Sequence, residues 1–161
     1  MRKQNKTPPL QPKSFCVVRE AVIQYRGQSL RIRSALLTPQ DAIALAKKRV
    51  HDHSKEHLLA IYLDGTHRPI AFSLVFIGTA NSAPANPREI FQPAVALGAV
   101  SLIVLHNHPS GESKPSSCDD QVTKTLAEAG RLLGIKLLDH IVWTVSGDFY
   151  SYADSASHLL R

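Results

Sequence analysis

Sulphur and aromatic rings are scarce in this chain, which has two cysteines, one methionine and one tryptophan in 161 residues. Cys16 and Cys118 form no spaced framework, which excludes a disulfide scaffold and leaves both thiols free in a reducing compartment. The chain also lacks any apolar run near the ~18 residues of a membrane span. Its first residues are basic with no apolar segment after them, unlike a secretory signal. The expectation is therefore a cytoplasmic protein with no membrane partner. Without a Cys-x-x-Cys, a zinc nucleobase deaminase is excluded as well, because that chemistry needs His-x-Glu together with Pro-Cys-x-x-Cys.

What is present describes an ordinary globular chain, 43% apolar and 20% charged, long enough for one domain with a real core. The formal charge of +6 is unevenly placed. Residues 1–54 hold eleven Lys/Arg against three Asp/Glu, a net +8, and the remainder holds eight against ten, a net −2. A basic N-terminal half suits an acidic partner such as nucleic acid, although a solvated tail and strand face explain the same charge.

Three segments are expected. Residues 1–13 read as a disordered basic tail. Residues 14–37 read as a β-hairpin extension turning at Arg26-Gly27-Gln28-Ser29. Residues 38–161 read as the main domain. Within it, Thr38-Pro39-Gln40-Asp41 opens a helix with a capping box and Pro in the first turn. His51 and His53 follow at its frayed end and read as solvated. Glu56 to Leu63 reads as a central strand hairpinned to Pro69–Ile77, and a loop is expected over residues 78–86. Pro87 to Gly98 is a helix interrupted by Pro93, and Val100–Leu105 a buried strand. Val122, Leu126, Ala129 and Leu133 predict a helix over residues 117–133, stopped by Gly134. Two short strands, 135–138 and 141–145, and a last strand at 149–152 complete the domain. Strands alternating with helices, with hairpins among them, predict an α/β fold with a mixed sheet flanked by helices.

The chemistry concentrates in Leu105 to Asp120, reading LHNHPSGESKPSSCDD. In an extended segment, side chains two apart share a face, so His106 and His108 can converge on one ion. Asp119 lies in the first turn of the following helix. Two imidazoles and a carboxylate form a donor set that suits one zinc ion, with a fourth position for water. A hydrolytic site also needs a base close to that water. Glu112 of the loop reads as exposed, whereas Glu56 opens an apolar strand whose end can face the end of another; Glu89 competes for the role. Ser116 reads either as a helix cap or as a donor to an oxyanion, with Ser117 free to cap in the second case. Cys118 reads as a small apolar filler. Asp139 and His140 read as support for the site or, preferably, as a strand-end hydrogen-bond pair.

The order His106-x-His108, seven residues, Ser116, two residues, Asp119 resembles the zinc motif of the JAB/MPN metalloproteases. The strings HNHPSG, PS-x-x-D, PREIF and LLDHIV resemble, more closely, the RadC-like JAB domain of bacteria, over residues 38–152. The resemblance implies a mixed sheet of deaminase-like architecture, one zinc on His106, His108 and Asp119, Glu56 as general base and Ser116 as oxyanion donor. The implied reaction is hydrolysis of a peptide or isopeptide bond in a protein or peptide substrate. The RadC label also carries an association with DNA repair, and the alternative is a DNA-associated accessory protein with a structural or vestigial metal. Two departures are visible. Asn86 stands where RadC-like proteins usually carry His, and the first 40 residues do not resemble the helix-hairpin-helix module of longer members.

Overall fold

The computed structural model describes residues 35–78 and 85–161. The predicted tail, nearly all of the predicted hairpin extension and most of the loop expected over residues 78–86 lie outside the described residues.

Helix α1, Pro39–Lys47, starts at the expected capping box. The Asp41 N–H donates to Thr38 Oγ1 at 3.3 Å, and the Thr38 N–H donates back to the Asp41 carboxylate at 3.0 Å. Strand β1, Glu56–Leu63, and strand β2, Pro69–Gly78, form an antiparallel hairpin. Asp64 closes it by accepting the Thr66 and Arg68 N–H groups at 2.7 and 3.0 Å. Helix α2, Pro87–Leu97, takes Asn86 as its cap, and Gly98, in the left-handed region at φ 64°, releases the chain toward β3. Strand β3 is Ser101–Asn107, helix α3 Ser117–Leu133 and strand β4 Lys136–Trp143. Strand β5, Phe149–Ser151, leads into the single-turn helix α4, Tyr152–Ser155, and a 3₁₀ turn at Ser157–Leu160.

The sheet runs β2-β1-β3-β4-β5. Only the β3–β4 pair is parallel, as a crossover through α3 requires, and the other neighbours are antiparallel. Both faces are covered, so β1 is apolar along nearly its whole length rather than alternating. Leu59, Ile61 and Leu63 pack with α1, whereas Leu58, Ala60 and Tyr62 pack toward α2 and α3. Among the described residues, no helix is long and apolar enough to cross a membrane.

Four expectations change. Strand β3 continues two residues past Leu105, because His106 and Asn107 pair with β4 and His106 also pairs with β1. Residues 136–143 form one strand rather than two short ones. A register shift beside Leu137 absorbs the irregularity, and Asp139 and His140 lie within the strand. The last strand stops at Ser151, whose Oγ accepts the Asp154 N–H at 3.2 Å and so caps α4. Of the two histidines after α1, His51 is exposed, but His53 is half-buried with its ring edge-on to Trp143 at 5.7 Å.

Gly130 marks where α3 meets the start of β4. A Cβ there would collide with the Ile135 carbonyl oxygen and press on the Phe91 ring. The backbone cannot retreat easily, since the Gly130 carbonyl also accepts the Ile135 N–H at 2.9 Å. Gly130→Ala is expected to lower stability by about 1–3 kcal/mol, the range for overpacking. Urea unfolding should show a lower midpoint with an unchanged slope, while Glu128→Ala on the exposed face of the same helix should stay within about 0.5 kcal/mol of the parent.

Candidate metal centre

The carboxyl end of β3 and the amino end of α3 meet at one end of the sheet's central strands, and open α/β sheets place their ligands at the carboxyl ends of strands. Period-two alternation turns His106 and His108 to the same side. Their Nε2 atoms lie 3.0 Å apart. Asp119 arrives from the first turn of α3, with Oδ1 3.2 Å from His106 Nε2 and Oδ2 3.8 Å from His108 Nε2. Among the described residues, this is the one group of three His, Cys, Asp or Glu side chains close enough to share a metal ion.

The donor set fits such an ion. His108 Nδ1 faces the Glu112 carbonyl at 2.8 Å. That carbonyl can only accept, so Nδ1 donates to it, and Nε2 is the nitrogen left to face the cluster. Two ring nitrogens and a carboxylate oxygen at 3.0–3.8 Å have the mutual spacing of ligand atoms on one cation. Ligand atoms about 2.0 Å from a tetrahedral centre stand about 3.3 Å apart, within that spread.

Ser116 and Asp119 share a capping box. The Ser116 N–H and Oγ donate to Asp119 Oδ2 at 2.7 and 2.6 Å, and the Asp119 N–H donates to Ser116 Oγ at 3.2 Å. Ser116 is therefore the cap, which corrects the division in which Ser117 capped and Ser116 was left free. Burial works to raise the Asp119 carboxyl. The Ser116 hydrogen bonds act against it and favour the carboxylate.

A cavity of about 690 Å³ opens over these residues. Glu56 and Glu89 both line it, as do Ser116 and Cys118, and Leu58, Phe76, Ala85 and Val122 give it an apolar side. Glu56 is half-buried at the first position of β1, whereas Glu89 is exposed in the first turn of α2. Because β1 runs antiparallel to β3, its start lies beside the end of β3, with Leu58 opposite His106. Glu112 is exposed and meets the cluster through its backbone. Cys118 is exposed rather than a buried filler.

One contribution escapes a reading of the sequence, and one preferred reading changes. Asn107, fully buried, accepts the His57 N–H on Oδ1 and donates from Nδ2 to the Lys55 carbonyl, both at 2.9 Å. It thus holds the backbone on either side of Glu56. A polar residue alternating against two histidines was the only available signal, and its partners lie some fifty residues away. The Asp139–His140 pair is corrected too. Asp139 accepts from Ser151 Oγ and the Ala153 N–H, at 2.6 and 2.9 Å. The His140 ring instead meets His106 and Thr123, at 2.9 and 2.6 Å.

Comparison with known proteins agrees with this architecture. The family model for the RadC-like JAB domain matches residues 36–157. A UPF0758 protein of Chlorobaculum tepidum is 38% identical over 131 residues, covering 81% of this chain and 57% of its own length. A UPF0758 protein of Chlorobaculum parvum is 42% identical over 115 residues, 71% of this chain and 51% of the relative. A third, from Geobacillus sp. strain WCH70, is 42% identical over 110 residues, 68% of this chain and 49% of the relative. The chain thus spans about half the length of the curated relatives it matches. It belongs to the RadC-like JAB domain family.

Replacing Asn107 by Ala should leave the His57 N–H and the Lys55 carbonyl without their partner. The expected loss is about 1–3 kcal/mol, the penalty for stranding buried polar groups, read as a lower midpoint in urea unfolding. An unchanged midpoint would remove Asn107 as the tie between β1 and β3.

Proposed function

We propose, taking membership of the RadC-like JAB domain family as premise, that the chain is a zinc-dependent hydrolase of peptide or isopeptide bonds. The observation that carries this reading is the placement of Glu56 in the same cavity as His106, His108 and Asp119. His106 and His108 would hold zinc through nitrogen and Asp119 through oxygen, a set that leaves one position open. Zinc bound there supplies a water acidic enough to attack a carbonyl near neutral pH.

The chain's own residues provide the rest. Glu56 takes a proton from the attacking water as the carbon–oxygen bond forms. It returns that proton to the departing amine as the carbon–nitrogen bond breaks, so the products are an acid and an amine. No covalent enzyme intermediate is needed, which leaves Cys118 outside the chemistry. The Ser116 hydroxyl, beside the cluster, can donate to the carbonyl oxygen only once its proton leaves the Asp119 carboxylate. The apolar side of the cavity, from Leu58 and Phe76 to Val122, suits an aliphatic or aromatic side chain flanking the scissile bond.

Protein loaded with zinc and passed through desalting is expected to retain about one ion per chain, and Asp119→Ala to retain little. Glu56→Gln should keep the metal and lose about 10²-fold or more of its turnover on a panel of isopeptide-linked fluorogenic peptides, as removal of a general base does. Wild-type protein that cannot be loaded would overturn the metal reading. Full turnover in Glu56→Gln would move the base to Glu89.

A further inference from the structure

We propose that His140 is a positioning residue for His106, holding its ring in the tautomer that turns an unprotonated Nε2 toward His108 and Asp119. The proposal rests on the reading of those three residues as metal ligands, yet it concerns the order of protons in the metal-free protein as well.

The hydrogen bonds leave little choice about where each proton sits. The Asp119 carbonyl can only accept, so Thr123 Oγ1, 2.7 Å away, spends its single proton there. The Thr123 oxygen then has only lone pairs for His140 Nδ1 at 2.6 Å, which makes that nitrogen the donor. His140 is 1% exposed, and its two ring nitrogens face Thr123 and His106 rather than a carboxylate, surroundings in which an imidazole is held neutral. A neutral ring protonated on Nδ1 presents a lone pair at Nε2. His106 Nδ1, 2.9 Å from that atom, must therefore donate, and neutral His106 keeps Nε2 unprotonated.

The rings are also held in place. His140 stacks on Tyr152 at 5.2 Å with 9° between the planes, and the Tyr152 hydroxyl donates to Asp120 Oδ1 at 2.7 Å. The parallel pairing sets His140 opposite Val104 on β3, one step of the alternation before His106. The chain of contacts is closed, from the His106 ring through His140 and Thr123 to the backbone of Asp119. His106 and Asp119, from different elements, are thereby tied through β4 and α3. Metal-binding histidines commonly fix their second nitrogen on a carboxylate or carbonyl; here a neutral imidazole takes that place, and the relay orders the ring without adding a charge.

The test uses the 161-residue chain labelled with ¹⁵N-histidine, free of metal and at mildly alkaline pH, above the ordinary imidazole range. Long-range ¹H–¹⁵N spectra should show His106 protonated on Nδ1. His140→Phe keeps the stacking ring but removes the acceptor, so His106 should become a tautomer mixture, and zinc affinity in chelator competition should fall about 10–100-fold, as for other residues supporting a metal ligand. His140→Gln, whose amide oxygen can accept, should restore much of both. Thr123→Val reaches the same relay without touching His106 and should also mix its tautomers. It decides the matter if His140→Phe fails to fold by its amide spectrum. Wild-type His106 protonated on Nε2, or tautomers unmoved by His140→Phe and Thr123→Val, would overturn the proposal. A wild-type ring protonated on Nδ1 in a protein that binds no zinc would sink the metal reading and leave the positioning role standing.

Discussion

Strand β3 is hydrogen-bonded on both edges and buried along its whole length, and the site is laid out from its carboxyl end. Its neighbours differ in direction, which decides what each can bring. Antiparallel β1 begins where β3 ends, so the first residue of β1, Glu56, reaches the same cavity. Parallel β4 ends where β3 ends, so His140 on β4 lies under the His106 ring. Helix α3, which must cross back from β3 to β4, begins at that end and delivers Asp119 in its first turn. One central strand with unlike neighbours therefore brings together side chains from four elements.

Asp119 carries two structural demands with its two oxygens. Oδ2 accepts from the Ser116 backbone and hydroxyl, completing the α3 cap, while Oδ1 faces His106. The amino end of a helix is electrically positive and by itself a poor neighbour for a cation. A carboxylate in the first turn reverses the local sign and also stabilises the helix start. The two Ser116 hydrogen bonds to Oδ2 favour that charged form. Helix initiation and a cation-ready site thus depend on the same side chain.

Much of this could be read from the residues. The capping box at Thr38 and Asp41, the β1–β2 hairpin, the bounds of α3 and the glycine stops at Gly98 and Gly134 follow from local chemistry, and each appears in the structure. The proximity of His106, His108 and Asp119 was legible because two of them alternate on a strand and the third opens the next helix. Less local features were hidden. Ser116 and Ser117 are adjacent and equally able to cap, so only the geometry separates them. Asp139 and His140 look like the polar break between two short strands, because a strand can bury such residues only when other elements supply their partners. Those partners, Ser151 and Ala153 for one and His106 and Thr123 for the other, belong to parts of the chain that meet only after folding. Asn107 was missed for the same reason.

The division of labour among the strands has a consequence for how the site can vary. The three clustered residues depend on β3, α3 and β4, and their hydrogen-bond relay closes on itself. The carboxylate of Glu56 depends on β1 and is tied to that group through Asn107, which bonds backbone rather than the Glu56 side chain. The apolar side of the cavity draws Phe76 from β2 and Val122 from α3. A substitution at Phe76 can reshape the cavity while leaving every contact of the cluster intact. A substitution at Val122 lies within a turn of Thr123 and Asp119 and cannot be so isolated. The shape of the cavity is therefore most free to change from the β2 side, and the His106, His108 and Asp119 cluster is most constrained from the α3 side.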